Sequence, residues 1–196
     1  MDDLFLIRQF NSGNQQAFNT LVWRWQKPVY NFIFRTVGDG DLAKDILQDT
    51  FMRVYKGLVH LKEHQCFTAW LFRIATNLCR DEFKKRHRQP QLIDELSATT
   101  ISESGVPDSQ PSHHPSGALP AHEVQSLLHK ALQQIPEEQR IVIIMKQLNG
   151  LKFSDIAQIL DEPLNTIKSR MYYGLSALRK ILAQQGLTRE DFYYEM

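Results

Sequence analysis

Apolar residues recur at three- and four-residue spacing through most of this chain, the signature of helices with one buried face. From Asp41 to Leu58 the positions Leu42, Ile46, Leu47, Phe51, Val54, Tyr55 and Leu58 form such a stripe. The opposite face carries Lys44, Asp45, Gln48, Asp49, Arg53 and Lys56. Upstream, Asn14 to Val37 reads as a long aromatic-rich helix that Pro28 should kink or break, because proline lacks the donor a helix interior needs. Downstream, Phe67 to His87 gives a third long helical pattern, with Trp70, Leu71, Ile74 and Leu78 on its core face. Glu123 to Gln134 gives another. Pro136 then restarts a helix whose first turn holds Glu137 and Glu138, where negative charge suits the helix dipole. The run Ile141–Met145 is β-branched and locally ambiguous. It reads as helix because it follows a good start and ends at Asn149-Gly150. Few segments alternate with period two, so an all-α protein is expected.

A distinct pattern follows. Ser154 is placed to cap a short helix with Ile156, Ala157 and Leu160 inside. Asp161-Glu162-Pro163 should end it, and Asn165 and Thr166 offer caps for the next helix. That helix is expected to bury Ile167, Met171, Leu175, Leu178 and Leu182. Helix, tight turn, helix is the arrangement that lays a second helix in the major groove of DNA.

Between these helical blocks the composition changes. Gln89 to His122 has no Lys or Arg, four acidic residues (Asp94, Glu95, Glu103, Asp108) and five of the eight prolines. Such a stretch cannot bury enough apolar surface to offset its ordering entropy. A flexible acidic linker over 90–121 is expected, with a short helical turn near Leu92–Leu96. It divides a helical domain over 1–89 from a second over 122–187, leaving a tail over 188–196.

The whole chain is nearly charge-balanced, with 23 Lys and Arg against 22 Asp and Glu. That excludes a uniformly basic protein but not locally basic faces. Cys66 and Cys79 do not form a disulfide framework. No cleavage site follows the short apolar run Leu4–Ile7, and no apolar stretch approaches the roughly 20 residues of a membrane helix. A cytoplasmic, reduced protein without membrane insertion is expected.

Two local faces carry candidate chemistry. On the second helix of the pair, Lys168, Ser169, Tyr172 and Tyr173 lie opposite the apolar stripe. From Asn165 to Lys180 there are four basic residues, Lys168, Arg170, Arg179 and Lys180, and no acidic one. Basic groups neutralise phosphates while central polar side chains reach base edges. The same spacing also fits an ordinary helical hairpin with a solvated basic face, and the tyrosines could pack on a neighbour. The other face lies in WLFRIATNLCRDEFKKRHR, Trp70 to Arg88. Arg73, Arg80, Lys84, Lys85, Arg86 and Arg88 stand against Asp81 and Glu82, a net of four positive charges. The aromatics Phe67, Trp70, Phe72 and Phe83 are interleaved with them, as single-stranded nucleic acid binding requires. Asn77 carries both a donor and an acceptor for a base edge. Here too the alternative is a core of aromatics beneath a solvated face.

His60, His64 and Cys66 cluster, and His113-His114 sit in the linker, but the spacing is not that of a structural zinc site. Cys66 in a loop could sense oxidation. No phosphate-cradling loop, nucleophile elbow or catalytic carboxylate pair is present, so neither an enzyme nor a cofactor is expected. Two rivals remain: a helix-turn-helix regulator acting without polymerase, and an adaptor that binds polymerase but not DNA. The first expects an α/β receiver or ligand-binding domain upstream, where this chain has helices. The basic faces on both domains argue against the second.

The segments Gly13–Asp39, Asp41–Leu58, Thr68–Arg88, Ala131–Leu160 and Asn165–Leu182, in this order and spacing, resemble regions 2 and 4 of extracytoplasmic-function (ECF) sigma factors of the sigma-70 family. The resemblance implies an RNA polymerase subunit that reads promoters. Asp45, Gln48, Asp49 and Arg53 would dock on the β′ clamp helices, and the second domain on the β flap. Asn77, with Arg73, Arg80, Lys84, Lys85, Arg86, Arg88, His64 and Phe67, would engage and melt the −10 element, Asn77 holding a flipped base. Asn165, Thr166, Lys168, Ser169, Arg170, Tyr172 and Tyr173 would read the −35 element. The linker would thread through polymerase toward the RNA exit path. An anti-sigma factor, which can hold such a protein at the inner membrane face, would mask the polymerase-binding surfaces. The chain departs from the family at Asn165, where Gly is frequent, at Tyr173, where a basic residue is frequent, and at Gly174, where Ala is frequent. The −35 sequence it reads is expected to differ accordingly.

Overall fold

A computed structural model describes residues 2–61, 67–88 and 121–185. Among them there are eight α-helices and no strand. The N-terminal four are α1 (Asp3–Asn11), α2 (Gln15–Val37), α3 (Gly40–Gly57) and α4 (Phe67–Arg88). The C-terminal four are α5 (Ala121–Gln134), α6 (Glu137–Ile143), α7 (Phe153–Leu160) and α8 (Leu164–Gln184).

The helix boundaries follow from local chemistry. Asn14 Oδ1 accepts from the Gln16 amide at 3.1 Å and caps α2. Gly38, at φ +81°, ends α2 in the left-handed conformation that glycine adopts without strain. Asp39 Oδ1 then accepts from the amides of Asp41 and Leu42, at 2.9 and 3.0 Å, and starts α3. The helix α1 was not anticipated, and it is held by specific contacts. The Trp25 indole donates to Asp3 at 3.0 Å, and Arg24 pairs with the same carboxylate. Phe10 of α1 closes on Phe18 and Tyr55 through ring contacts of 5.4–5.5 Å.

Of the two outcomes expected at Pro28, a kink or a break, the break does not occur: α2 runs through it without interruption. A proline inside a helix costs about 3 kcal/mol. Leu21, Val29, Phe32, Ile33 and Val37 are all buried on both sides of Pro28, and that burial offsets the cost. The core of this half centres on Phe32 against Phe72, edge to face at 5.3 Å, with Trp25 edge-on to Phe72. Three buried threonines, Thr36, Thr50 and Thr76, each donate to the carbonyl four residues back at 2.7 Å, so no hydroxyl is stranded.

In the other half the ambiguous run is helical. α6 passes into a π-helical turn over Ile144–Leu148, and Gly150 at φ +66° ends it. Two capping expectations are corrected. α7 begins at Phe153, so Ser154 lies inside its first turn and bonds Asp155. α8 begins at Leu164 behind Pro163, so Asn165 and Thr166 are helical residues rather than caps. Asp161, left-handed at φ 55°, makes the turn between α7 and α8. Leu175 is 39 % exposed; its expected core place is taken by Gly174. A Cβ there would stand 2.8 Å from Ile143 Cδ1 and 3.0 Å from Gln139 Cβ, so glycine lets α8 cross close to α6.

The two helical halves are packed against one another, α4 on α7 and α2 on α5. The expected linker, its helical turn and the tail lie outside the described residues.

Candidate nucleic-acid interface

The first candidate face is built by α8. Its buried line of Ile167, Met171, Gly174, Leu178 and Leu182 fixes the helix on α6 and α7. The same periodicity turns Asn165, Lys168, Ser169, Tyr172 and Tyr173 outward. Tyr172 and Tyr173 are 71 % and 62 % exposed and meet edge to face at 5.5 Å. Among the described residues they stand on the surface as a pair of rings with phenol groups. Thr166 is half-buried. Arg170 differs from the rest: its guanidinium donates to Glu162 at 3.0 Å and forms an ion pair with Glu138 at 3.1 Å. It braces α8 against α6 and the turn, so its reach toward DNA is restricted.

The second face is α4. Leu71, Phe72, Ala75, Leu78, Cys79 and Phe83 form its buried stripe. Arg73, Asn77 and Lys84 therefore project along the opposite side, at four- and seven-residue spacing, and all are exposed. Lys85, Arg86 and Arg88 extend the charge to the helix end, where cations suit the dipole. The two acids are placed against this charge. Asp81 lies 3.8 Å from Lys84, and Glu82 bonds Lys85, which raises the Lys85 pKa above its ordinary value. Arg80 is half-buried and bonds Glu138 at 2.8 Å.

The interleaved aromatics are core, not a stacking platform. Phe67 is 2 % exposed, against Trp25, and Phe72 and Phe83 are buried. Phe67 is thus not on the surface where a base contact had been expected. The period-3.6 pattern already puts Phe72 and Phe83 beside Leu71 and Cys79. Cys79 is buried too, and burial pushes its thiol up to about 12, which removes it as a reactive group. His64, Cys66 and the linker histidines lie outside the described residues.

The third face lies on α3. Asp45, Gln48, Asp49 and Arg53 are all exposed. Beside them an apolar groove of about 470 Å³ runs between α2 and α3, lined by Phe18, Val22, Leu47, Phe51, Met52 and Tyr55. The sequence stripe of α3 is wider than the core needs: Ile46 and Val54 are buried, while Tyr55 remains exposed. Exposed apolar surface rimmed by charge marks a docking surface.

The sequence reading missed Arg140, Gln133 and His129, which lie where the halves meet. Arg140 is 6 % exposed. It donates to the Thr36 carbonyl at the end of α2, at 2.8 Å, and bonds Gln133. A cation in a short helix reads as solvent-facing, so no pattern flags it.

Helices alone among the described residues, with an exposed basic face in each half, fit a DNA-binding protein of two modules. Comparison with known proteins gives the family. Sigma-70 region 2 matches residues 21–89, and sigma-70 region 4 matches residues 125–178. The RNA polymerase sigma-H factor of Pseudomonas aeruginosa is 29 % identical over 188 residues, 96 % of each chain. The ECF RNA polymerase sigma-E factor of Escherichia coli is 28 % identical over 180 residues, 91 % of this chain and 93 % of that one. Among solved structures, CnrH in complex with the cytosolic domain of CnrY shares the fold at a TM-score of 0.68 and 22 % identity, over 93 % of this chain and 97 % of that one. The sigma factor RpoE of Bartonella quintana, in complex with the anti-sigma factor NepR, does so at 0.65 and 23 %, over 86 % and 98 %. This chain belongs to the ECF group of the sigma-70 family.

Proposed function

We propose that this chain binds core RNA polymerase through the α2–α3 groove and the charged face of α3, and reads a bipartite promoter with α4 and α8. It acts as a specificity subunit in the cytoplasm, and polymerase supplies the chemistry. The carrying observation is the coexistence, on one chain, of an open recognition face on α8, the Arg73–Asn77–Lys84 row on α4 and an unfilled apolar groove on α3. A regulator without polymerase has no use for the groove. An adaptor without DNA contact has no use for the two basic faces.

Each face has a chemical task. Lys168, Ser169, Tyr172 and Tyr173 enter the major groove at the −35 element, where phenol hydroxyls meet base edges and ring faces meet thymine methyls. Asn165 and Thr166 lie at the helix start, near phosphates. Arg170 keeps α8 in its angle of approach. At the −10 element Arg73, Arg80, Lys84, Lys85, Arg86 and Arg88 track the backbone, and Asn77 hydrogen-bonds an unstacked base. Melting exchanges stacking for pocket contacts, the energetics of base flipping. An anti-sigma factor would act by filling the α2–α3 groove. Phe51, which lines it, is a residue such a partner would cover.

Transcription by purified core polymerase on genomic fragments, with and without the chain, tests this. Specific initiation is expected with the chain present. Phe51→Glu is expected to lose core binding and initiation together while the fold persists, because Phe51 is only half-buried. DNA binding without any effect on core would favour the regulator, and core binding without initiation the adaptor.

A further inference from the structure

Away from the three faces, a cavity of about 270 Å³ lies where α2 meets the π-helical turn after α6. Lys27, Asn31 and Arg35 line it from α2, four residues apart and so on one side of that helix. The two cations stand about 12 Å apart along the helix axis, on either side of Asn31, and their long stems let them converge. Opposite them are Leu148 of the π-helical turn and Asn149, which ends it. Among the described residues no carboxylate lines this cavity. Lys27 is exposed and Arg35 half-buried, and neither side chain pairs with a carboxylate among the described residues. Arg24 and Arg80, on the same half, do so, with Asp3 and Glu138.

Two further observations separate this cavity from an ordinary solvated cleft. The Asn149 Oδ1 is buried and has no hydrogen-bond partner among the described residues, so the chain does not satisfy this amide. An Asn149 side chain that turns to an acceptor in the cavity gains a hydrogen bond and relieves the buried oxygen. The backbone is irregular on both sides as well. Pro28, which also lines the cavity, sits in the interior of α2, and the facing segment takes a π-helical turn over Ile144–Leu148. Such turns are rare and collect at functional sites.

The lining sets the chemistry of an occupant. Two cations and two amides without an acid suit an anion, and the Arg35 guanidinium can grip a phosphate through two N–H groups. Pro28, Ile144 and Leu148 add an apolar wall, and Leu148 is 43 % exposed. At about 30 Å³ per water the cavity takes roughly nine waters, more than a bare anion needs. We propose that this cavity binds a small phosphate ester, with its phosphate between Lys27 and Arg35 and its carbon skeleton on Pro28 and Leu148. This site goes beyond promoter reading and does not depend on it. Its occupant touches both halves and stabilises the folded chain by mass action.

Calorimetric titration of the full-length chain tests the site, at about 0.15 M salt, where exposed charges are screened beyond about 8 Å. The probes are phenyl phosphate, inorganic phosphate and phenol. Phenyl phosphate is expected to bind at one site, about tenfold more tightly than inorganic phosphate because its ring is buried, and phenol is expected not to bind. Lys27→Gln and Arg35→Gln are each expected to weaken phenyl phosphate about tenfold, the loss of one charge-assisted hydrogen bond. Arg8→Gln, which removes an exposed cation from α1, is expected to leave it unchanged. Leu148→Ser is expected to bring phenyl phosphate down to the affinity of inorganic phosphate. Lys27 and Leu148 are exposed, so their variants keep the fold, which circular dichroism checks. The thermal midpoint of the wild type is expected to rise with phenyl phosphate, and that of Lys27→Gln to rise less. Absence of saturable phenyl phosphate binding, or equal binding of inorganic phosphate or phenol, overturns the proposal. So does binding that Lys27→Gln and Arg35→Gln leave intact, or that Arg8→Gln weakens as much as they do.

Discussion

At the residue scale, the separation of reading from bracing is the main lesson. Arg170 and Lys168 look equivalent in the sequence, two cations on one helix. The fold gives Arg170 to Glu138 and Glu162 and leaves Lys168 in solvent. Lys168→Ala is therefore expected to weaken holoenzyme binding to all promoters alike and to lower the salt slope by about one unit, as loss of a phosphate contact does. Tyr172→Ala is expected to cost about 1–3 kcal/mol at one −35 position and to relax sequence preference there. Binding isotherms on a panel of single-base −35 variants at two salt concentrations distinguish the two. Phe67 marks the opposite error of sequence reading. An aromatic at the edge of a basic run suggests a stacking base, but it closes the core over Trp25. Composition reveals which rings are near charge, not which side of the helix they take.

At the element scale, the helices were legible because their apolar spacing is strict. All of the long ones were read within a few residues from positions such as Ile46, Val54, Leu71 and Leu178. What failed were features decided by a neighbour. Pro28 stays inside α2 because packing on both sides outweighs the missing donor. α1 is short and depends on Trp25 and Arg24, residues of another helix, so its own sequence is a weak signal. Gly174 stood out in the sequence only as a departure from the Ala frequent in the family, whereas it is the crossing point with α6. Gly174→Val is expected to destabilise the C-terminal half by roughly 1–3 kcal/mol through overpacking against Ile143 and Gln139. Thermal unfolding followed by circular dichroism measures this, with Leu175→Val on the same helix as an exposed control.

At the scale of the whole molecule, two helical modules and their order were readable from the sequence, but their docking was not. The contacts that make the seam are single residues scattered over α2, α4, α5 and α6, with no period to betray them. The seam has an expected pH dependence. Burial holds the His129 pKa below its ordinary 6.5, opposed by a hydrogen bond to the Gly38 backbone and aided by Arg35 and Arg140, which face the ring. The docked state therefore favours neutral His129. Its contribution is fully present above 6.5 and is lost as pH falls through the lowered docked value. Scattering across this range is expected to show the wild type expanding as pH falls. His129→Ala should lack that component.

The central claim is that this chain, held on core polymerase, opens promoter DNA at the −10 element. Permanganate reactivity of thymines on a promoter recovered by transcription measures it directly. Reactive thymines near −10 are expected only when core and chain are both present, with Asn77→Ala reducing the signal while −35 protection persists. Reactivity with the chain alone, reactivity with core alone, or none with both together would contradict the account.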